Sequence, residues 1–416
     1  MYATSYAPSS TAEAPIFKSF RKTVAVLIAL SFSSLKVFAQ GSGLLTDPLD
    51  GAFDMSGYLS ENAFGALPVP IIISEPAVDQ GLGVAGLFFH ESEEEAKRRK
   101  QMMQESENAA RFLLPPSVSV LAAGYTGNGS WFAGAGHFGF YNQGRQRYQG
   151  FAGYGDFTLD YYSLGDINLD KPFSLQTKGL GVINSYKWRL GTLPIFAGPH
   201  QRYISTELSP GAFLDRLPDE VPPELVEPIE DLLTADTVLS GLGFDLELDT
   251  RDSVFTPMNG TNIQFRAVFN RDAIGSDIDY DNYRLEALQY LELSSQWRLG
   301  LRFAAETVES DDTLPPFAKP GLDLRGLPAA RYQGDRTALA EGELTWQFTP
   351  RWSVLGFLGA GRAWTQRESF GDVGSAVNRG MGFRYKIARS YGLHAGLDLA
   401  KGPEDTVLYI QVGSAW

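Results

Sequence analysis

The 416-residue sequence predicts an all-β protein, a 16-stranded antiparallel β-barrel that spans a membrane, and three observations carry that prediction. Most of the chain reads as short segments in which apolar and polar residues alternate with period two. Past the first 39 residues, no continuous apolar run reaches the roughly 20 residues a helical span needs. Aromatic residues make up 12% of the chain, and all seven tryptophans fall near the ends of alternating segments, where indole rings settle at headgroup level.

The cleanest alternation lies in two neighbouring segments. From Trp297 to Glu306 the odd positions are largely apolar and the even ones charged or small. From Thr337 to Phe348, Thr337, Glu341, Glu343, Thr345 and Gln347 share one face; Ala338, Ala340, Leu344, Trp346 and Phe348 share the other. A soluble sheet buries its apolar face and wets the opposite one. The same pattern repeated along most of a chain predicts a closed wall with lipid outside and a polar lumen inside.

At the N-terminus, Lys18, Arg21 and Lys22 precede a short apolar core, Val24 to Leu30, and Val37-Phe38-Ala39 offers small residues before Gln40. That order predicts a secretory signal over 1–39, with a core too short to anchor. Residues 40–69 are irregular and are expected to stay periplasmic, which leaves 70–416 for the barrel. Ser92 to Phe112 reads as a helical connector. Ser92 and Glu95 form a capping box, Glu93, Glu94 and Glu95 pair with Lys97, Arg98 and Arg99 at i,i+4, and Pro115-Pro116 stops it.

The first strands are expected at Pro70 to Ser74 and Gly81 to Phe89. After the connector, Ser117 to Thr126 and Ser130 to Tyr141 flank Asn128-Gly129, a two-residue hairpin signal. Tyr148 to Tyr162, Thr177 to Leu190 and Ile195 to Ser205 follow, then a Pro-rich acidic loop, Pro210 to Asp236. Beyond it come Val238 to Asp249, a strand carrying Asn262 to Asn270, Tyr283 to Leu293 and the two clean segments. Trp352 to Trp364, Asn378 to Ile387, Gly392 to Ala400 and Asp405 to Trp416 finish the set. Sixteen is even, so both ends return to one side. Trp188, Trp297, Trp346, Trp352 and Trp416 are expected at the periplasmic interface and Trp131 and Trp364 at the outer one. A signal, alternating strands and no helical span leave two options, a secreted β protein or a barrel in the outer membrane of a Gram-negative bacterium, and the repeated polar-in, apolar-out pattern points to the barrel.

The formal charge of −14, more negative still without the basic signal, argues against nucleic acid as a partner. Cysteine is absent, which excludes disulfides, thiolate metal sites and a cysteine nucleophile. His90, His137, His200 and His394 are scattered without metal-ligand spacing, and neither a G-x-S-x-G elbow nor a phosphate-binding loop occurs. No enzymatic activity, cofactor or metal is expected.

The strongest polar constellation is Asp323-Leu324-Arg325-Gly326, in the long loop between the two clean strands. Parity puts Glu341 and Glu343 on the lumen face of the following strand. A loop folded inward would let them hold the Arg325 guanidinium by charge-assisted bonds.

These residues bear a family resemblance. Arg325-Gly326 falls between strands 11 and 12, where the BamA/TamA superfamily of outer-membrane insertases and translocators (the bacterial surface antigen family) carries an R-G motif in its sixth outer loop. Asp249-Thr250-Arg251-Asp252 with Pro257-Met258-Asn259-Gly260 is similar to the family's D-T-R-D…P-x-x-G periplasmic turn. Gly380 to Tyr385 and the terminal Tyr409-Ile410-Gln411-Val412-Gly413-Ser414-Ala415-Trp416 resemble family strands and the terminal assembly signal. Leu67 to Pro70 and Pro115 to Trp131 resemble the small branch made of a barrel alone, without periplasmic receiving modules.

The pattern also departs from the family's. Leu327 replaces the usual aromatic after R-G, and Ser414 an aromatic of the terminal signal. The strand-13 motif F-x-D-x-G becomes Phe357-Leu358-Gly359-Ala360-Gly361, which leaves Glu341 or Glu343 as the arginine's only expected acids.

The resemblance implies a role in outer-membrane protein assembly or polypeptide passage. The seam between the first and last strands, around Ile71 to Ser74 and Val407 to Trp416, would be its site. Implied partners are outer-membrane lipid, the barrel-assembly machinery for its own insertion, and a client polypeptide or periplasmic protein. Two alternatives stand beside it. One is a passive small-solute pore tuned by Asp245, Glu247, Arg266, Arg284, Arg302 and Arg384; the other is a structural surface protein acting through the acidic loop.

Overall fold

The structure, a computed structural model, describes residues 45–61, 66–73, 76–91, 94, 97, 101, 116–164, 167–210, 230, 233–234, 236–254, 256–328, 330–413 and 416. The predicted signal (1–39) lies outside them, as do most of the connector at 92–112 and most of the loop at 210–236. Residues 94, 97 and 101 are helical.

The chain divides into two compact units after Tyr58. The described part of the first is a tight turn. Thr46 bridges Phe53, Asp47 N–H donates to Ala52 O (3.0 Å), and Gly51 takes a left-handed φ of +68° at the bend. Helix α1 (Ser56–Glu61) starts where the Asp54 carboxylate accepts from Ser56 N–H at 2.7 Å.

The second unit is one 16-stranded antiparallel sheet, the number of strands the alternation predicts. Its strands are β1 (Ala66–Ile73), β2 (Gly81–His90), β3 (Ser117–Thr126), β4 (Trp131–Tyr141), β5 (Gln146–Leu164), β6 (Ile167–Arg189), β7 (Ile195–Ser209) and β8 (Thr237–Asp249). The second half is β9 (Gly260–Asn270), β10 (Tyr280–Glu292), β11 (Trp297–Glu309), β12 (Arg336–Gln347), β13 (Trp352–Trp364), β14 (Ala376–Ala388), β15 (Leu393–Lys401) and β16 (Thr406–Val412). Each pairs with its sequence neighbour, and the sheet curls into a nearly closed barrel. β1 and β16 approach within 8 Å, Cα to Cα, yet no ladder joins them among the described residues. Pro68 and Pro70 lie two apart in β1 and carry no N–H, which suits a strand with one unpaired edge.

Register explains which faces are where. Arg302 sits opposite Glu341, and Leu301 opposite Gly342. One phase therefore carries the buried charges Asp245, Glu247, Arg302, Glu341, Glu343, Arg384 and Asp398, and the other the exposed Leu301, Phe303, Leu344, Val354 and Leu358. Charge points inward and apolar surface outward, the inverse of a soluble sandwich.

Three sequence expectations shift. The β5–β6 hairpin outruns its apolar pattern because polar cross-strand pairs carry it on: Ser174 Oγ donates to Asp160 (2.6 Å) and Gln176 Nε2 to Asp156 (2.9 Å). The Asn128-Gly129 hairpin has a loop longer than two residues, since the ladder ends at Tyr125–Trp131. There Asn128 Oδ1 gathers Thr126 Oγ1, Ser130 N–H and Ser130 Oγ, and Gly129 has φ +90°. Third, β16 stops at Val412, and Trp416 lies inside the barrel instead of at its interface. The other six tryptophans sit in the outward phase, with Trp297 stacked on Trp346 at 5.7 Å and Trp352 tilted against Tyr385 at 4.7 Å.

Candidate functional site

The 310–335 loop between β11 and β12 folds into the lumen, held first by apolar contacts. Leu322, Leu324 and Leu327 form a buried cluster with the inward Ala304, Leu339 and Ala376. Leu314 joins Leu239, Tyr280 and Val308, so the lumen is less polar than the alternation alone implies. Position 327, where the family carries an aromatic, is thus an anchoring leucine. Nearer the loop end of the barrel, Tyr332 and Arg331 both reach Glu404 Oε1, at 2.6 and 3.2 Å. Burial and the Glu404 carboxylate push the Tyr332 phenol up to about 12.

Arg325 stands at the inner tip, buried with a side-chain exposure of 9%. Its guanidinium donates to three carboxylates: Glu341 Oε1 from Nε (3.0 Å) and Nη2 (2.9 Å), Glu343 Oε2 (2.9 Å) and Asp398 Oδ2 (3.0 Å). The planar fork also lies over the Phe357 ring, 3.5 Å from its centroid. Such an arrangement uses shape as well as charge, and a lysine cannot reproduce it.

Both predicted acids are present, and the expectation that they act alone is corrected: Asp398 on β15 is a third. The position where the family pattern has its strand-13 acid is Gly359. A Cβ there would meet Asn378 Oδ1 at 2.5 Å and Glu341 Cγ at 3.1 Å. Asn378 fills that space and donates to Arg325 O (3.0 Å) and Glu341 Oε1 (3.3 Å). The acid has in effect moved two strands along the wall, to β15.

Other cations balance the remaining charge. Arg384 bonds both Asp398 oxygens, Nη2 to Oδ2 at 2.9 Å, and Arg298 donates to Glu343 Oε1 at 3.2 Å. Arg302 joins β11 to the loop through Asp323 Oδ2 (2.8 Å) and Asp323 O (2.9 Å). The Asp323 carboxylate is exposed, whereas the buried Arg302, Glu343, Arg384 and Asp398 persist as charges because each is paired and hydrogen-bonded.

Gly326 is required by geometry. Its φ is +89°, its N–H donates to Tyr409 Oη on β16 (2.9 Å), and an added Cβ would fall 2.9 Å from Gly402 N. Gly326→Val is expected to weaken loop docking by about 1–3 kcal/mol. Limited proteolysis of the folded barrel checks this, and a variant as protected as the parent would refute the steric reading.

The C-terminal residues Tyr409, Gly413 and Trp416 enter the same site. Tyr409 holds Gly326. Gly413 turns at φ +88° with its N–H on His394 O (2.7 Å). Trp416 then enters the lumen: its indole N–H donates to Glu341 Oε2 (3.0 Å) and its carbonyl accepts from Tyr290 Oη (2.8 Å).

The 250–260 turn shows why its motif has its residues. Asp249 accepts from Arg251 Nε (2.9 Å) and Arg147 Nη1 (2.8 Å), and Asp252 Oδ1 caps Met258 and Asn259 N–H at 2.9 and 3.3 Å. Gly260 has φ +113°, and a Cβ there would lie 2.4 Å from Thr250 O. The turn reaches across the barrel's turn end: Thr256 Oγ1 donates to Gly392 O, and Pro257 O accepts from Arg298 at 2.9 Å. Sequence reasoning missed Asp398, Asn378 and the inward Trp416. Alternation with Leu397 and Leu399 could have found Asp398.

Among the described residues no group of His, Asp and Glu is arranged to hold a metal ion, although His90 Nε2 and His137 Nδ1 both hydrogen-bond Ser119 Oγ at 2.8 Å. Ser185, His200 and Asp245 meet, but Asp245 lies between the other two, accepting from Ser185 and bonded to His200 Nδ1 at 3.1 Å. The serine therefore has no base on it, and Arg266 (2.7 Å) completes an ion-paired node.

A family model described as the Omp85 superfamily domain matches residues 140–319. Among solved structures, the chain is similar to BamA from Haemophilus ducreyi lacking POTRA domains 1–3, with 11% identity and a TM-score of 0.50 over 84% of this chain and 69% of that one. It is also similar to CdiB from Escherichia coli, at 11% identity and a TM-score of 0.50, over 83% of this chain and 61% of that chain's length. A search of curated proteins returns no match. Residues 140–319 thus match the Omp85 superfamily domain, and the chain shares its barrel fold with these two structures.

Proposed function

We propose that this barrel resides in the outer membrane and assists the insertion or passage of polypeptides, working at the seam between β1 and β16. The observation that carries the reading is the missing ladder: two strand edges lie side by side without pairing among the described residues. An unpaired edge is a template for another strand, and a client segment can add to it by β-augmentation. Pro68 and Pro70 remove donors from β1 and keep self-closure weak. The superfamily match supports a translocator-like or insertase-like role in general. The client, and any periplasmic protein that delivers it, belong to the proposal alone.

The lumen weighs against a wide passive pore. The 310–335 loop occupies it, and Asp245, Glu247, Arg266, Arg284, Arg302 and Arg384 are all neutralised by partners. A client barrel protein should insert into liposomes several-fold faster when the purified protein is present. Equal rates with and without it would end the proposal.

A further inference from the structure

The outward wall of β9–β14 is not uniformly convex. On β12, Gly342 lies between Leu301 and Leu358 of the neighbouring strands, and Ala340 between Phe303 and Ala360. The small residues leave a trough between taller apolar ridges, a concavity of about 820 Å³ that also takes in Ala287 and Val377. Its surface is almost wholly apolar, and none of the described residues fills it.

A basic rim borders the trough at the loop end of the barrel. Arg336, Arg362, Arg379 and Lys401 share the outward phase with the ridge residues. Arg379 is paired in register with Leu358 on one side and with Lys401 on the other, between the exposed Val377 and Met381. Two like charges directly opposed across a ladder repel, and cations on a lipid-facing strand are costly. Among the described residues no carboxylate pairs with any of the four. Arg362 donates to Ser375 Oγ (2.8 Å) and Phe370 O, and Lys401 to Glu404 O (3.2 Å), all neutral acceptors. The described chain thus builds a cationic rim over an acyl-sized trough and supplies no anion.

We propose that this face binds one phosphorylated, multiply acylated lipid, with a phosphate on Arg379 and Lys401 and an acyl chain in the trough over Gly342. The charge complementarity selects a lipid carrying phosphate from lipids in general. The inference rests on the outer-membrane reading, with the loop end facing outward.

Native mass spectrometry of the detergent-solubilised barrel with bisphosphorylated hexa-acyl lipid A tests it, using the dephosphorylated lipid as the second arm. The parent protein should retain one bisphosphorylated molecule. Retention should fall at least about tenfold with the dephosphorylated lipid and in Arg379→Ala/Lys401→Ala, a loss equal to one charge-assisted contact. Gly342→Leu, which fills the trough and leaves the rim intact, should also lower retention. Equal retention of the two lipids, or no effect of the double substitution, overturns the proposal. So does a double variant whose only change is in oligomeric state, which would make the face a contact between copies. Flotation of the folded protein with liposomes is read separately. A barrel that does not float refutes the membrane reading, whereas one that floats without phosphate selectivity refutes only the lipid site.

Discussion

Arg325→Ala is expected to release the lumen loop and convert a small, flickering current in planar bilayers into a large, steady one. The substitution leaves Glu341 with only the Trp416 and Asn378 donors and takes one cation each from Glu343 and Asp398, in a site where these acids are nearly inaccessible. Removing one partner from a buried ionic cluster costs on the order of 3–5 kcal/mol. That corresponds to roughly a hundred- to several-thousand-fold in the docking equilibrium. The strand ladders of the wall do not involve Arg325, so the fold should persist with the loop undocked. Arg325→Lys should fall between, because one ammonium cannot bond three carboxylates and lie flat on Phe357. An Arg325→Ala barrel with the parent's conductance and the parent's proteolysis pattern in 310–335 would show that the loop is held by its leucines alone.

The second large effect concerns the wall itself. Glu247→Leu is expected to destabilise the barrel by on the order of 3–5 kcal/mol, read as a lower urea midpoint in detergent. Glu247 accepts from Lys187, from Arg147 (2.7 Å) and from Asn262 (3.0 Å), tying β5, β6 and β9 to β8. Without it, the Lys187 ammonium, 6% exposed, is buried with no carboxylate. Arg147 keeps Asp249 and its position 3.8 Å from the centre of the Phe196 ring, and so suffers less. If the unpaired charge is the cause, Glu247→Leu/Lys187→Met should recover most of the loss, since apolar replacement of a whole buried pair is near neutral. A double variant as unstable as the single one would point to lost packing volume.

Much of the wall was legible from residue order because the side-chain period of a strand is local. Parity alone puts Glu341 and Glu343 inward and Leu344 and Trp346 outward. An even strand count returns the ends to one side, and Asp249, Asp252 and Gly260 mark a turn through chemistry confined to a dozen residues. The Arg325 loop was legible for the same reason, through its neighbouring strands and its family motif.

Distances around the barrel are a different kind of quantity. Asp398 reaches Arg325 from three strands beyond Glu341, and whether two inward residues share a height depends on every intervening register and on the strand tilt. Trp416 follows the alternating pattern of a lipid-facing terminus, yet it turns inward after Gly413 because Glu341 and Tyr290 offer its polar atoms partners. The trough over Gly342 arises only when Leu301 and Leu358 flank it from separate strands. Residue order thus determined the number of strands, the face each side chain takes and the turns, since these follow from neighbours along the chain. Tertiary structure alone decided which carboxylates share the arginine, where the C-terminus lies and where the outer wall is hollow. Those depend on how sixteen strands are staggered around a common axis.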